Sequence, residues 1–463
     1  MGWKPTTSFM TKEPETKVRR GWRAGFWSLI VTQFQTAFND NAVKFLVIYI
    51  IVAMNFPNQF RDRLILVVGA LFAIPFILFS MTGGYFADRY SKRSVTIGTK
   101  FLELGVMAFT ILGLYLGNLP MECASVFLIS MEAALFGPSK YGLLPELLPD
   151  NRLSWGNGVI ELGTFVASIS ATMAAGIMAE RYRGREAIAG FLLLAFTCVG
   201  LATSFRISHL PAADPHRTFR WDPLGELFAQ LKIIYADAVL FWSVVGNTYL
   251  WFLAALLQFT IVVYGHDVLH IDDARTSYLQ AAVGIGIGLG SLAAGYLSRG
   301  KIEMGLIPVG ALGMTIFGAL LYFSQPAELL AHWLSTAALH QGSTVAVKFG
   351  GFVVSAVRLR IPDLSLLGFF GGFFAVPLNA LIQHRPRPEQ KGGVIAAANL
   401  LSFVGVFLAA GAYYLFSTVF HQTPAGVFLD GAILTLVTTA ASIFLLRDSL
   451  FSFFRKSEAI SPD

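Results

Sequence analysis

Between two long apolar segments the chain reads Gly83-Gly84-Tyr85-Phe86-Ala87-Asp88-Arg89-Tyr90-Ser91-Lys92-Arg93. Gly84 carries no side chain, so it allows two helices to approach each other closely. Asp88 follows four residues later, and its negative charge is favoured if it faces the amino terminus of a helix. Arg89, Lys92 and Arg93 supply positive charge that holds the connection on one side of a membrane. The segment predicts a tight, charged turn between two membrane-spanning helices.

The composition agrees with a membrane location. Of the 463 residues, 55% are hydrophobic and 13% are charged. A soluble globular chain is typically about 45–50% apolar and about 25% charged. The apolar runs are long enough to cross a bilayer as helices rather than as barrel strands. We therefore expect an all-α integral membrane protein.

Twelve apolar segments are candidates for transmembrane helices. They are residues 25–54, 63–87, 94–117, 121–144, 155–179, 187–205, 238–264, 276–298, 303–324, 364–384, 392–418 and 426–446. A polar linker, residues 206–237, separates the first six from the last six and ends in an amphipathic stretch. The predicted organisation is a tail 1–24, a six-helix half 25–205, the linker 206–237, a second half 238–447 and a tail 448–463.

The stretch between spans 9 and 10, residues 325–363, is moderately apolar and also contains His, Lys and Arg. We interpret it as a non-spanning insertion on the outer face. The alternative is a pair of additional membrane elements.

The distribution of basic residues predicts the orientation. With both termini in the cytoplasm, 22 Lys and Arg residues fall on the cytoplasmic side and nine on the opposite side. Cytoplasmic loops of membrane proteins carry this excess. The formal net charge of +6 is thus an orientation signal, and we expect no nucleic-acid partner.

The second half contains a degenerate copy of the first motif, Gly295-Tyr296-Leu297-Ser298-Arg299-Gly300-Lys301, which lacks the aspartate. Two related halves of six helices are typical of transporters built from repeats. The glycine, the Asp-Arg pair and the later basic pair resemble the loop 2–3 motif of the major facilitator superfamily. The alternative is an ordinary charged loop. The motif assigns a class and carries no information on the substrate.

The first span contains two charges, Asp40 and Lys44, four residues apart on one helix face. A carboxylate in the middle of a membrane helix costs roughly 2.5 kcal/mol or more, so a retained one indicates a functional site. Each charge can offset part of the desolvation cost of the other. A purely structural ion pair is the alternative.

Further charges follow in spans 3 to 5. Span 4 contains Gly137-Pro138-Ser139-Lys140-Tyr141-Gly142, a predicted helix break beside a charge, and span 5 begins Asn157-Gly158-Val159-Ile160-Glu161. Polar residues continue along one face of span 5, where helix packing by small residues is the alternative. Lys100, Glu103 and Glu132 lie nearer span ends or can pair locally, so both functional and structural roles stay open for them.

Spans 7 to 12 carry no charged residues away from their ends and are rich in Phe. A cavity between the halves would then have one charged and one apolar wall. This suits a substrate with a zwitterionic or anionic head and a hydrocarbon tail. Lys44 and Lys140 could meet a phosphate, and Asp40 and Glu161 an amine or a coupling cation. No catalytic or metal-binding set is evident, so we expect no cofactor, metal or enzymatic activity.

Four segments, in matching order, resemble signature segments of bacterial lysophospholipid transporters. They are Phe38–Ala42, Gly137–Gly142, Asn157–Glu161 and Phe374–His384. The resemblance implies inward movement of lysophosphatidylethanolamine and related lipids across the cytoplasmic membrane for re-acylation. It also implies that Asp40, Lys140 and Glu161 belong to the head-group site or its gate. The predicted substrate-binding or gating residues are Asp40, Asn41, Lys44, Lys140, Tyr141, Asn157, Glu161, Asn379 and Gln383.

Some relatives are fused to an acyltransferase, and the short tail here leaves no room for one. We expect membrane lipids as partners, a cytoplasmic acyltransferase as a candidate partner, and a monomer. Asn39 replaces a common glycine, and span 11 lacks an acidic residue, which leaves the head-group preference open. One alternative is a cation-coupled carrier or exporter of another amphipathic or small organic molecule. Another is an accessory or receptor protein of a phospholipid-acylating enzyme.

Overall fold

The computed structural model describes residues 22–54, 56–219, 222–269, 271, 273–323 and 345–440. The helices of this part are α1 Trp22–Ala53, α2 Asn58–Arg89, α3 Lys92–Leu116, α4 Leu119–Leu147, α5 Leu153–Arg181, α6 Ala187–Ser204, α7 Pro223–Ala236, α8 Ala238–Val263, α9 Asp273–Leu297, α10 Leu306–Phe323, α11 Val345–His384, α12 Lys391–Tyr414 and α13 Pro424–Ala440. Short 3₁₀ or π turns extend α5, α8 and α12. A helix satisfies its own backbone hydrogen bonds, which a segment in lipid requires.

The predicted spans coincide with α1–α6 and α8–α13. Within the described ranges, eleven helices are long and apolar enough to cross a membrane, and α13 is a shorter apolar helix. The twelfth predicted span runs to residue 446, and its part after residue 440 lies outside the described residues. The all-α membrane fold is confirmed.

The helix of the tenth span begins earlier than the sequence predicts. α11 is 40 residues long and begins at Val345, so residues 345–363 of the predicted insertion are helical. Its apolar, span-like part is Arg360–His384, close to the predicted 364–384. The remainder of the insertion, residues 325–344, lies outside the described residues. Its location on the outer face remains a prediction.

The amphipathic stretch of the linker forms α7. Its first turn is capped by Asp222, whose side chain accepts a hydrogen bond from the Gly225 amide at 2.9 Å. Ile234 is buried against α8, α11 and α12, whereas Leu224 and Phe228 are exposed. An apolar side that does not face the protein is typical of a helix at the membrane interface.

The two halves, α1–α6 and α8–α13, meet along two seams. One joins α2 to α12, and the other joins α5 to α9. A Cβ added at Gly84 would lie 2.6 Å from the Cβ of Ala396, and one at Gly158 would collide with the Ser291 carbonyl. Only glycine permits this separation of the helix axes. We call the end of the bundle that carries the linker the linker end.

Candidate functional site

Asp88 ties the two halves together at the linker end. Its carboxylate accepts hydrogen bonds from the amides of Gly392 and Gly393, at 2.7 and 2.9 Å. These amides belong to the first turn of α12, where backbone N–H groups lack partners within the helix. The positive end of the helix dipole also favours the buried carboxylate. Asp88 is fully buried, so this contact is shielded from water.

Arg217, in the linker, adds a second attachment to Asp88. Its guanidinium forms ion pairs with both Asp88 and Glu226 of α7. Its carbonyl oxygen accepts a hydrogen bond from Arg89 at 2.6 Å, and the Asp214 amide donates to the Asp88 carbonyl at 2.8 Å. The linker therefore holds the end of α2 beside α12. Sequence reasoning gives no signal for the contact of Arg217 with Asp88, because the two residues are far apart along the chain.

The basic pair of the motif acts within the first half. Lys92 is fully buried and pairs with Glu146 at the end of α4. Arg93 donates a hydrogen bond to the Phe205 carbonyl at 2.8 Å. These contacts join α3 to α4 and to the start of the linker.

A second polar connection crosses between the halves beside the α5–α9 seam. Asn157 of α5 and Gln383 of α11 exchange two side-chain hydrogen bonds, of 3.0 and 2.7 Å. One turn further into the bundle, the Glu161 carboxylate accepts hydrogen bonds from Tyr141 at 3.3 Å and from Asn379 at 3.4 Å. The structure therefore brings five of the predicted site residues together from α4, α5 and α11.

Lys140 lies beside this group. Its ammonium is 4.4 Å from the centre of the Tyr141 ring and interacts electrostatically with Glu161 and Asp40. Its side chain is partly accessible, and no carboxylate of the described residues lies within ion-pair distance of it. An ammonium in this position can receive an anionic group of a ligand.

Asp40 does not form the ion pair with Lys44 that its spacing suggested. Its carboxylate interacts electrostatically with charged groups of α3 and α4, and its side chain is only 7% exposed. The Lys44 ammonium donates a hydrogen bond to the Asn41 side-chain oxygen at 3.1 Å and lies 4.2 Å from the centre of the Phe72 ring, and no carboxylate of the described residues is within ion-pair distance of it. The two groups still interact electrostatically, but not as a close ion pair. Lys44 is thus held by Asn41 and an aromatic ring.

Behind Asp40 lies a buried network, which we call the carboxylate cluster. It consists of Asp40, Lys100, Glu103 and Glu132. Lys100 forms an ion pair with Glu103, and its ammonium is 3.3 Å from Glu132. Lys100, Glu103 and Glu132 are fully buried.

Polar side chains of α1 and α6 complete the surroundings of Glu103. Its Oε1 accepts hydrogen bonds from Gln35 at 2.7 Å, from Asn39 at 2.9 Å and from Thr197 at 3.0 Å. The sequence left the role of Lys100, Glu103 and Glu132 open. Their charge within apolar spans was the available signal, since such groups face the interior of the bundle.

The second half presents a mainly apolar surface. Phe369, Phe370 and Phe373 pack against one another on α11, with ring centres 4.9–5.8 Å apart. Asn247 donates to Ser402 at 3.0 Å. The α13 helix does contain one carboxylate, Asp430, so the second half is not wholly free of charge within its last predicted span. The described residues include no group of His, Cys, Asp and Glu close enough to hold a metal ion.

Comparisons with known sequences identify a family model and several relatives. A family model described as Major Facilitator Superfamily matches residues 29–410. A protein of Cronobacter sakazakii named lysophospholipid transporter LplT is 31% identical over 398 residues, which cover 84% of this chain and 88% of that protein. A protein of Klebsiella pneumoniae with the same name is 30% identical over equal shares.

Solved structures also resemble this fold. A crystal structure of the transporter FucP in the outward conformation has a TM-score of 0.69 at 12% identity and covers 92% of this chain and 99% of its own. A crystal structure of the human organic anion transporter MFSD10 has a TM-score of 0.70 at 14% identity, with shares of 90% and 98%. At such identities the likeness shows the fold alone.

Proposed function

Since the chain belongs to the Major Facilitator Superfamily and to the family of lysophospholipid transporters named LplT, we propose that it moves lysophospholipids such as lysophosphatidylethanolamine across the bacterial cytoplasmic membrane. The observation that carries the proposal is the ammonium of Lys140, which interacts electrostatically with the carboxylates of Glu161 and Asp40 and has no ion-pair partner among the described residues. A zwitterionic head group has a phosphate and an amine, and this arrangement offers a partner to each.

The phosphate of the head group would contact Lys140. A lysine is a compact positive charge that donates charge-assisted hydrogen bonds to phosphate oxygens. The amine would contact Asp40 or Glu161, which are 7% and 5% exposed and therefore shielded from bulk water. Water screens charges only weakly at this depth. The two contacts would therefore offset the cost of removing the head group from water.

The single acyl chain would lie against the second half. The Phe369, Phe370 and Phe373 rings of α11 pack against one another and against apolar residues of α9 and α10, so this part of the second half is apolar. Each methylene group removed from water contributes about 0.8 kcal/mol. This asymmetry between the two walls favours an amphipathic substrate over a small polar one.

Movement would follow alternating access between two arrangements of the halves. The hydrogen bonds described above that join the two halves, at Asp88, Asn157 and Glu161, all lie towards the linker end. We infer that this is a state closed at the linker end. A head group that takes Glu161 away from Tyr141 and Asn379 would weaken the closure and favour the opposite state.

The orientation follows from the distribution of basic residues, with both termini and the linker end in the cytoplasm. Lipid delivered at this side becomes available to a cytoplasmic acyltransferase, which we propose as a partner of a monomeric transporter. The predicted gate residues Asn157 and Gln383 would then separate the head-group site from the cytoplasm.

A photoactivatable lysophosphatidylethanolamine tests the site directly. Cross-linking to the purified protein in lipid nanodiscs should label peptides of α1, α4, α5 and α11. An excess of unlabelled lysophosphatidylethanolamine should remove this labelling. A detergent with the same chain length but without a phosphate group should not. Labelling confined to lipid-facing surfaces, unchanged by the unlabelled lipid, would count against the proposal.

A further inference from the structure

The carboxylate cluster contains more negative than positive charge. Asp40, Glu103 and Glu132 supply three carboxylates, and Lys100 is the single cation that lies within 4.0 Å of any of them among the described residues. Lys100 interacts most closely with Glu103, through an ion pair with one carboxylate oxygen. Three further donors contact the other oxygen of Glu103. The charges of Lys100 and Glu103 therefore compensate each other, and the carboxylates of Asp40 and Glu132 are the excess negative charge of the cluster.

The bare polar atoms in this region are acceptors. The side-chain oxygens without a hydrogen-bond donor belong to Gln35, Asn39, Asp40 and Glu132. Gln35 and Asn39 are fully buried, and each has already used its NH₂ group on Glu103. A buried acceptor without a donor costs about 1–3 kcal/mol. The cluster therefore has fewer hydrogen-bond donors than acceptors and less positive than negative charge.

The charged groups on every neighbouring helix are accounted for. Asp40 interacts electrostatically with Glu132, Glu103, Lys100 and Lys140, and also with Lys44 on its own helix. The α6 segment Ala187–Ser204 carries no charged side chain, and Glu161 on α5 is the acidic neighbour of Lys140. Lys140 stands farther from Glu132 than Lys100 does, since only Lys100 is within ion-pair distance. The negative charge of an ionised Glu132 is therefore only partly compensated, because Lys100 is shared with Glu103.

We propose that Glu132 binds a proton and stays a neutral carboxylic acid in the resting transporter, with its O–H group donating to one of the bare acceptor oxygens of the cluster. A proton needs a single oxygen, whereas a metal ion needs several ligands in close convergence. No such convergent group exists among the described residues, which favours the proton. Glu132 is the best-suited carboxyl because it is fully buried and its one ion-pair partner among the described residues, Lys100 at 3.3 Å, is shared with Glu103.

This assignment gives Glu132 a role distinct from that of Asp40. With Glu132 neutral and Glu103 paired to Lys100, Asp40 is left as the one negative charge of the cluster that borders the substrate region. The inference depends only on the buried groups and holds for any substrate, so it can fail while the proposed lipid transport stands.

Infrared difference spectroscopy of the purified protein tests the protonation. Glu132→Gln keeps the size and neutrality of a protonated glutamate. At pH 7 the wild type should show a carboxylic-acid C=O band that Glu132→Gln lacks. The matched control is Glu122→Gln, a buried carboxyl ten residues earlier on the same helix, which has an unpaired oxygen but lies next to Glu186 instead. This control should leave the Glu132 band in place.

The pH dependence of unfolding gives a second readout. A proton held by the folded state alone makes stability fall as pH rises, by up to about tenfold in the folding equilibrium per pH unit. The wild type should therefore lose stability relative to Glu132→Gln between about pH 5 and 8. Identical pH profiles, or an unchanged infrared band in Glu132→Gln, would overturn the proposal. Stabilisation by sodium over choline that Glu132→Gln abolishes would replace the proton by a metal ion and also overturn it.

Discussion

Asn157 and Gln383 exchange two side-chain hydrogen bonds across the two halves of the transporter, at 3.0 and 2.7 Å. Both side chains are buried, so each amide satisfies the other without water. The reciprocal geometry exists only when α5 and α11 are close together. We propose that the pair acts as a latch of the state closed at the linker end.

Asn157→Ala and Gln383→Ala should each open this latch. A buried neutral hydrogen bond contributes about 0.5–1.5 kcal/mol, so loss of two shifts the conformational equilibrium by about 1–3 kcal/mol, or about 5- to 150-fold. Spin labels at Asn151 and Lys301, which are exposed and belong to different halves, should show an added population of longer distances. The exposed amide Gln258 provides the control Gln258→Ala, and an unchanged distance distribution in all three variants would contradict the latch.

The close approach of α2 and α12 depends on Gly84. Gly84→Ala places a methyl group 2.6 Å from the Cβ of Ala396 and 2.9 Å from the Gly392 carbonyl, so the helices must separate. We expect a loss of stability of about 1–3 kcal/mol, the usual cost of overpacking, with a lower thermal midpoint and slower transport. The control is Gly69→Ala on the same helix, where no atom lies within 4 Å of the added methyl. Equal effects of the two substitutions would show that helix flexibility, not the seam, determines the result.

Asp88 should matter more than an ordinary surface charge. Asp88→Asn removes the ion pair with Arg217 and weakens the bonds to Gly392 and Gly393, and charge-assisted hydrogen bonds contribute about 1.5–3 kcal/mol each. We expect at least a tenfold slower turnover, and a smaller loss in the same direction for Arg217→Gln. Arg385→Gln, which breaks an exposed pair with Asp237, should change turnover less than twofold. Turnover in proteoliposomes is the measurement, and a normal rate in Asp88→Asn would exclude the predicted role.

Lys140 should select for phosphate. Lys140→Met should weaken binding of lysophosphatidylethanolamine by at least tenfold, because a phosphate would lose its one positive partner. Binding of a monoacylglycerol, which has the chain without the phosphate, should change little. The control is Lys232→Met, since Lys232 is an exposed lysine of α7 outside the predicted site, and it should leave binding of both lipids unchanged. Equal losses for both lipids would point to a packing role for Lys140.

Much of the fold followed from local sequence properties. Long apolar runs predict the helices, because a segment in lipid must satisfy its own backbone. The glycine at position 84 and the acid at position 88 predicted a tight, charged helix junction, and the structure places both against α12. The start of α11 was not predictable, since residues 345–363 are only moderately apolar and contain Lys and Arg, and yet continue the helix.

The site was harder to predict because its contacts join distant parts of the chain. Helical spacing placed Asp40 and Lys44 on one face, yet the direction of each side chain depends on α2, α3 and α4. Likewise, Arg217 and Glu132 gain their importance from partners more than thirty residues away. Charge within an apolar span was the useful local signal, and it applied to Glu132 as much as to Asp40.

The flipping rate of fluorescent lysophosphatidylethanolamine in proteoliposomes is the most direct test of the proposed lysophospholipid transport. Albumin extraction should reveal faster exchange between leaflets with the wild type than in protein-free vesicles. Asp40→Asn, Lys140→Ala and Glu161→Gln should each reduce the excess rate at least tenfold, whereas Gly69→Ala should retain it. Exchange by the wild type no faster than in empty vesicles, for any lysophospholipid head group, would contradict lysophospholipid transport by this protein.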